Sequence, residues 1–390
     1  MSVTVPRNQV RAAAAGVAVT FGLNGVAVAT WFARVPAARD ALGLTPGALG
    51  LLLLSMSVGA CLAMLTAGEV THRLRPKRTV SLSAVTVALG LAVAGVGIGA
   101  YPSPVVTAIG IFVLGYGSGL CDVAMNVEAA EVERALGKTV MPRFHAMWSL
   151  GTVAAAGLAS FAAWAVLPVT AHLAVVAVIV AGGTLVAART YSLAAEAEQG
   201  SGSGVMAAWR EPRTLLIGLL VLVLAFTEGT ANDWVAVAFI DGYAADPALG
   251  ALVFGVFVTT MTFGRIFGTI ALDRWGRVPA VVLSMLLAAS GVTLAVFAGS
   301  FGLAVAGVAV WGLGTALGFP VGMSAAADDP ERAAARVSVV AVIGYTAFLA
   351  GPPLVGLLGN QWGVLRALMV VPLLLLPALV LVPSLRQVKH

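Results

Sequence analysis

Long apolar runs, separated by short polar turns, recur from one end of the chain to the other. Twelve of them come close to the roughly 20 residues that a helix needs to cross a bilayer. They lie at 11–36, 46–71, 78–100, 104–134, 142–166, 170–190, 213–240, 247–272, 278–298, 301–327, 335–358 and 364–383. The pattern predicts an all-α membrane protein with twelve transmembrane helices.

The longest polar break divides these runs into six and six. It covers 191–211 and contains Glu196, Glu198 and the glycine–serine stretch 200–204. Such a composition is typical of a flexible linker. We therefore expect an N-terminal six-helix bundle at 1–190, a cytoplasmic linker at 191–211 and a C-terminal six-helix bundle at 212–390.

Similar short segments recur in the same order in both halves. Pro46–Gly50 opens the second run and Pro247–Gly250 opens the eighth. Asn24 precedes a glycine in the first run, and Glu228 precedes one in the seventh. Ordered recurrence of this kind indicates an internal duplication. We therefore expect the two bundles to be pseudo-symmetric.

Composition and charge distribution agree with a membrane location. The 390 residues are 60% hydrophobic and 10% charged, whereas a soluble domain carries about 25% charged residues. With the N-terminus inside, 18 of the 22 Lys and Arg residues fall in inner loops and tails. Cytoplasmic loops carry such an excess, so we expect both termini in the cytoplasm and a multi-pass protein of the cytoplasmic (inner) membrane.

The same features exclude several classes of partner and chemistry. The basic residues lie in short loops between apolar runs, which argues against nucleic-acid binding. Cys61 and Cys121 both fall inside apolar runs, so we expect neither a disulfide nor a metal site. The chain has no phosphate-binding lysine motif and no metalloprotease or nucleophile-elbow motif. We expect no cofactor and no enzyme activity, and a monomer embedded in the lipid bilayer.

Polar side chains inside the apolar runs concentrate in the first, fourth and seventh. Asp122 and Asn126 are four residues apart and therefore share one helix face. A carboxylate in hydrocarbon costs about 3 kcal/mol or more, so Asp122 must face a cavity or a partner. These runs are predicted to line a central path for solute and protons through the residues Asn24, Asp122, Asn126, Glu228, Asn232 and Asp233.

Arg265 is the one basic residue that lies well inside an apolar run, away from its ends. A cation at that depth needs an acidic partner or a water-filled cavity. Asp122, Glu128 and Glu228 are all suitable acids, and the sequence does not choose among them. We place Arg265 with the binding residues of the central path.

Two further groups of residues have both a functional and a structural interpretation. The acids Glu128, Glu131 and Glu133 approach the inner end of the fourth run, near Arg134, Lys138 and Arg143, and predict a gating salt-bridge network or a solvated charged end. Aromatic rings either stack on a sugar face or pack within the bundles and at the membrane interface. These aromatic residues are Trp31, Tyr116, Trp148, Trp234, Trp311 and Tyr345.

One loop carries a family resemblance. Asp273-Arg274-Trp275-Gly276-Arg277, between the eighth and ninth runs, resembles the loop signature of the major facilitator superfamily. The matching loop of the first half is degenerate, and His72 stands where the family usually has Asp. The resemblance implies two six-helix bundles and a gating role for both loops, through Glu69, His72, Arg73, Asp273, Arg274, Gly276 and Arg277.

Within that superfamily, four stretches are similar to the fucose:proton symporter branch and its bacterial relatives. They are 24–36, 122–128, 228–234 and 261–265. In the branch's sugar symporters, an acid three or four residues before an Asn in the fourth helix helps to bind sugar and proton. The resemblance implies that role for Asp122 and Asn126, although the symporters more often use Glu.

The expectation is a secondary active transporter that works by alternating access, as a proton-coupled symporter of a small sugar-like solute. One alternative is a proton-coupled exporter of drugs or amphipathic metabolites. Drug antiporters of the superfamily usually have an Arg where this chain has Ile111, and a Pro within the segment that corresponds to 151–157. A second alternative is a transport-inactive membrane sensor or scaffold.

Overall fold

A computed structural model describes residues 6–137, 140–193, 205–329 and 332–386. Within these ranges the chain is helical with short connections and contains no strand. Eleven helices in the described part of the chain are long and apolar enough to cross a membrane. The predicted glycine–serine linker at 200–204 lies outside the described residues.

The helices follow the apolar runs closely. Those of the first half are α1 (Arg7–Leu42), α2 (Pro46–Gly95, continued by a π-helical turn at Val96–Ala100), α3 (Pro104–Leu136), α4 (Met141–Trp164) and α5 (Val169–Ala188). Those of the second half are α6 (Val205–Ala208), α7 (Pro212–Tyr243), α8 (Pro247–Trp275), α9 (Arg277–Phe297), α10 (Phe301–Thr315), α11 (Gly318–Ala326), α12 (Ala333–Trp362), α13 (Val364–Ala367) and α14 (Val370–Ala378), followed by a 3₁₀ turn at Leu379–Leu385.

The 55-residue helical stretch Pro46–Ala100 contains two of the predicted runs. Arg75 interrupts it with φ 66° and ψ 153°. Both arms pack on α3, since a Cβ added at Gly115 would overlap the Met56 carbonyl and one at Gly117 would lie 2.9 Å from the Val87 nitrogen. Positions before and after Arg75 therefore lie at the same level of α3, so the chain turns back at Arg75. Counted this way, the described helices make the twelve predicted crossings.

The chain forms two compact units. The first comprises Met1–Leu44 and Leu52–Gln199, and the second comprises Thr45–Leu51 and Gly200–His390. In the first unit, α1 packs against α3, α4 and α5. In the second, α7 packs against α8, α11 and α12, and α9 packs against α10. Each unit thus has one central helix, and these two helices carry several of the predicted site residues.

Glycine contacts bring α1 and α4 together in the first unit. A Cβ added at Gly25 would lie 2.5 Å from the carbonyl oxygen of Trp148, and one at Gly151 would overlap the carbonyl of Gly22. Small residues let membrane helices approach backbone to backbone. The contact holds α1, with Asn24 on it, at a defined position in the unit.

A pair of glycine substitutions on α4 tests this packing. Gly151→Ala forces the α1 and α4 backbones apart and is expected to destabilise the protein by about 2–3 kcal/mol, as overpacking does. Gly157 lies on the same helix with no atom near its Cβ position, so Gly157→Ala should be neutral or stabilising by up to about 1 kcal/mol through helix propensity. Unfolding of the purified variants in detergent measures both. Equal changes in the free energy of unfolding for the two variants would show that α1 and α4 do not pack closely at Gly151.

Candidate functional site

The first polar cluster lies on α3. Asp122 is 18 residues from the start of α3 at Pro104, or roughly 27 Å along the axis at 1.5 Å per residue. The Asn126 side-chain amide donates to the Asp122 carbonyl at 2.8 Å and to its carboxylate Oδ1 at 3.3 Å. The predicted shared face therefore brings the two side chains together near the middle of the helix.

Asp122 has no cation beside it among the residues that the structure describes. Its carboxylate is half-buried, and Asn126 is the side chain bonded to it. A neighbouring amide donor stabilises a carboxylate less than a paired cation does. The first unit therefore presents one uncompensated acid at membrane depth.

Asn24 connects α1 to α3 one turn away from Asp122. It is buried, and its amide donates to the carbonyl of Ser118 at 3.3 Å. Its side-chain oxygen is buried and accepts no hydrogen bond within the described residues. In this conformation Asn24 serves helix packing, and its role as a solute ligand stays a prediction.

The second polar cluster joins α7 and α8 in the second unit. The Arg265 guanidinium Nη2 donates to both carboxylate oxygens of Glu228, at 2.9 Å and 3.1 Å. This contact settles the choice that the sequence left open between Asp122, Glu128 and Glu228. The pair is charge-compensated and partly accessible, with Arg265 30% and Glu228 19% exposed.

Asn232 and Asp233 lie one turn beyond Glu228 on α7. Asn232 is half-buried and Asp233 is buried. Asp233 makes neither a hydrogen bond nor an ion pair through its side chain within the described residues. Within the described residues, this cluster therefore places the compensated Glu228 and the uncompensated Asp233 on one helix.

Three of the predicted lining aromatics lie inside the protein core. Trp31, Trp234 and Trp311 are fully buried, and their ring nitrogens have no acceptor in the part of the chain described. Trp311 packs edge-on against Phe257 with ring centres 5.4 Å apart. These rings present no open face in this conformation, so a role in stacking on a solute needs a rearrangement.

The other three aromatics are partly exposed. The Tyr116 hydroxyl lies 3.2 Å from the Thr66 hydroxyl. Tyr345 stacks obliquely with Phe348 at 6.1 Å between ring centres. Trp148 is also half-buried. Tyr116, Trp148 and Tyr345 are therefore the aromatic residues whose geometry allows contact with a solute.

The three acids at the end of α3 have different partners. Glu133 accepts hydrogen bonds from the Val140 and Met141 backbone N–H groups at 2.7 Å and 2.8 Å. The first N–H groups of a helix lack partners inside it, and Glu133 supplies an acceptor to the start of α4. An ion pair is formed by Glu131 with Arg134, at 2.5 Å. Lys138 lies outside the described residues.

Glu128 has a different role. It is buried, and its Oε1 accepts hydrogen bonds from the Ser192 and Leu193 backbone N–H groups at 2.8 Å and 2.9 Å. These residues directly follow α5. Glu128 therefore holds the segment after α5 against α3, a structural role that the sequence did not reveal.

The two predicted gating loops differ in charge pairing. In the first, Glu69 pairs with Arg73 at 2.7 Å across one helical turn, and His72 is exposed. In the second, Arg277 pairs with Asp328 at 2.6 Å. The gating role of these loops stays a prediction.

Neighbouring residues of the second loop take different positions. Gly276 has φ 78° and ends α8, a backbone conformation that favours glycine. The preceding residues Asp273 and Arg274 are exposed, and the structure shows neither in an ion pair within its described ranges. Among the described residues of this loop, Arg277 is the one that forms an ion pair, and its partner is Asp328.

A charge cluster in the second unit escaped the sequence reasoning. Glu211 accepts hydrogen bonds from Arg336 Nε at 2.6 Å, from Arg332 at 3.1 Å and from the Thr214 hydroxyl at 2.9 Å. The Arg336 hydrogen bond holds the pKa of the Glu211 carboxyl below its ordinary value. Arg336 precedes Gly344 by eight residues, as Arg143 precedes Gly151 in the first half, but its partner Glu211 lies 125 residues away in the chain.

This pairing predicts a pH-dependent stability. Because the folded-state pKa of Glu211 is lowered, its contribution is complete above the ordinary carboxyl value of about 4.3 and is lost as pH falls through the folded value. Glu211→Gln should therefore lower the Tm near pH 7, and its Tm should approach that of the wild type on acidification below about pH 4.3. Glu69→Gln, which removes an exposed pair, should change the Tm little. A Tm difference independent of pH would contradict the assignment.

Comparisons with known proteins bear on the whole chain. The family model of the Major Facilitator Superfamily matches residues 217–389. An uncharacterised transporter of Sinorhizobium fredii is 32% identical over 375 residues, which cover 95% of this chain and 98% of the relative. An uncharacterised MFS-type transporter of Yersinia pestis is 31% identical over 363 residues, 92% of each chain. The chain belongs to the major facilitator superfamily.

Solved structures show the same fold at low sequence identity. The nucleoside transporter NupG matches with a TM-score of 0.77 at 13% identity, over 96% of this chain and 99% of its own. The transporter FucP in its outward conformation matches with a TM-score of 0.66 at 16% identity, over 96% of this chain and 98% of its own. A D-xylose–proton symporter matches with a TM-score of 0.67 at 14% identity, over 92% of this chain and 96% of its own. This chain is thus a multi-pass, all-α superfamily transporter, as the loop signature predicted.

Proposed function

We propose that this transporter is a symporter that couples proton entry to uptake of a small, polar, sugar-like solute. Asp122 is the carboxylate that carries the coupling proton. The observation that carries the proposal is the difference between Asp122 and Glu228. Glu228 is neutralised by Arg265, whereas Asp122 has no cationic partner among the described residues.

The physical argument rests on the cost of occluding charge. An ionised carboxylate without a partner is expensive in a closed, low-dielectric site, and a bound proton removes that cost. Asp122 therefore favours the occluded state only when it is protonated, which links proton occupancy to the conformational change. Glu228 is already compensated, so a proton is not needed for the pair to become occluded.

The Glu228–Arg265 pair and the amides are assigned to solute binding. Carboxylate oxygens accept hydrogen bonds, guanidinium N–H groups donate them, and the amides of Asn126 and Asn232 do both. Such a set matches the hydroxyl groups of a sugar or a nucleoside ribose. Tyr116, Trp148 and Tyr345 add partly exposed rings for an apolar sugar face.

We also propose that both termini lie in the cytoplasm and that the transporter works by alternating access. The concentration of Lys and Arg on one side of the predicted topology supports this orientation. The internal repeat and the two compact units support rocking of one bundle against the other.

Uptake into liposomes tests the proposed function. The purified protein is reconstituted, and an external acid pulse is applied with labelled fucose, D-xylose or uridine outside. Symport requires that one probe accumulates above its external concentration and that an uncoupler abolishes the accumulation. A lipophilic cation such as ethidium serves as the exporter probe. Ethidium movement against an opposite proton flux, without uptake of any polar probe, would establish the exporter alternative instead.

A further inference from the structure

The turn that joins the two arms of α2 forms a basic cavity. A space of about 440 Å³ is lined by Arg73, Leu74, Arg75, Lys77 and Arg78. Four of these five residues are cationic. The cavity lies in the first unit and is separate from the polar residues of α3.

Most of the positive charge around this cavity is uncompensated. Arg73 pairs with Glu69, and the Lys77 ammonium donates to the backbone carbonyl of Arg189 at 3.4 Å. The side chains of Arg75 and Arg78 make no ion pair or hydrogen bond within the described residues. An anion is the natural occupant of such a cavity.

The second unit does not repeat this arrangement. There, Asp328 accepts from both Arg277 and Arg213, at 2.6 Å and 2.8 Å. Arg277 of that loop is therefore paired with an acid of the same unit, whereas Arg75 and Arg78 have no such partner within the described residues. The excess charge at 73–78 is a particular feature of the first unit.

An exposed apolar track begins one helical turn beyond the cavity. Leu82, Val85 and Leu89 are exposed and spaced by three and four residues, so they lie along one face of the second arm of α2. Exposed apolar residues on a membrane helix contact acyl chains. A cationic cavity continuous with such a track matches a phospholipid, which joins a phosphate to an acyl chain.

We propose that the turn 73–78 binds the phosphate of an anionic phospholipid, with an acyl chain along Leu82, Val85 and Leu89. The phosphate contacts Arg75, Lys77 and Arg78. The apolar track distinguishes this occupant from free phosphate, which has no group to place on it. The residues Arg75, Lys77 and Arg78 belong to neither polar cluster of the proposed symport, and lipid binding is measured without transport, so this test is independent of the proposed function.

Lipid titration of the purified protein tests the proposal. Phosphatidylglycerol, phosphatidylcholine or inorganic phosphate is added to protein in a neutral detergent, and the Tm and the lipid retained in native mass spectrometry are measured. Phosphatidylglycerol should raise the Tm and be retained, whereas the other two should do neither. Arg75→Gln/Arg78→Gln should weaken the apparent affinity for phosphatidylglycerol roughly 25-fold, since each cation near a lipid headgroup contributes about a factor of five.

A matched double variant removes the same charge elsewhere. Arg7 and Arg11 are exposed on α1 and do not line the cavity, so Arg7→Gln/Arg11→Gln should keep the wild-type affinity. Equal losses in both double variants would overturn the proposal, because the effect would then be general surface charge. Equal stabilisation by inorganic phosphate would overturn it as well, since the occupant would be a free anion. If Arg75→Gln/Arg78→Gln does not fold, the single variant Arg78→Gln replaces it. Its affinity for phosphatidylglycerol should fall about five-fold.

Discussion

Replacing Asp122 by Asn is expected to abolish accumulation of solute driven by a pH gradient while leaving exchange of solute at equal concentrations intact. The Asn side chain keeps the shape and most of the hydrogen bonding of a protonated Asp, but it cannot release a proton. It also keeps the neighbouring Asn126 amide supplied with an acceptor. The variant should therefore fold and bind, and it should resemble a permanently protonated transporter.

The expected loss has a defined size. One pH unit supplies about 1.4 kcal/mol per proton, which sustains a roughly tenfold solute gradient. Under that gradient the wild type should approach a tenfold ratio of internal to external solute with one coupled proton. Asp122→Asn should reach only equal internal and external concentrations. Accumulation and counterflow are measured in the same liposomes with the probe that the wild type transports.

Two further variants give this experiment its controls. Asp40→Asn removes an exposed acid that pairs with Arg39, and it should retain accumulation. Asp233→Asn removes the second uncompensated deep acid. Accumulation retained in Asp122→Asn but lost in Asp233→Asn would assign the coupling proton to Asp233 and refute the role proposed for Asp122.

Replacing Arg265 by Ala should destabilise the protein by about 2–4 kcal/mol. The change removes the cation beside Glu228 and leaves a carboxylate in the membrane without its partner. Breaking a fully buried pair costs about 3–5 kcal/mol. The expected loss is somewhat smaller here because the side chains of Arg265 and Glu228 are 30% and 19% exposed.

A double-mutant cycle isolates the pair from the general effect of truncation. Glu228→Gln removes the charge that Arg265→Ala strands, so the double variant should regain part of the stability lost in Arg265→Ala. Asp122→Asn combined with Arg265→Ala should show no such recovery. Denaturant unfolding in detergent gives the free energy of unfolding of the wild type, the single variants Arg265→Ala and Glu228→Gln, and the two double variants. Additive losses in the Glu228–Arg265 cycle would mean that water in the cavity, and not Glu228, stabilises the cation.

Hydropathy alone predicted the helices well, and the reason lies in the bilayer. A membrane helix satisfies its own backbone hydrogen bonds, so its limits depend on local composition more than on distant partners. The predicted run 213–240 became α7 at Pro212–Tyr243, and 247–272 became α8 at Pro247–Trp275. The runs 46–71 and 78–100 became the two arms of α2, which meet at the non-helical residue Arg75.

Side-chain partners were far less predictable. Glu128 and Glu133 are on α3 among basic residues, and sequence proximity suggested ion pairs. Both acids instead accept from backbone N–H groups of later segments. Free N–H groups at a helix start and in a connection need acceptors, and the sequence does not show where those groups come to lie.

The sequence by itself determined the twelve crossings, the loop signature of the superfamily and the set of polar residues at membrane depth, because each of these follows from local composition and spacing. Only the tertiary structure decided that Arg265 neutralises Glu228 and that Asp122 has no cation beside it among the described residues. Glu228 and Arg265 are 37 positions apart in the chain, a separation that leaves many pairings open, and the packing of α7 against α8 selects one of them. Charge compensation at depth is a property of neighbouring helices, so it appears only when those helices are packed.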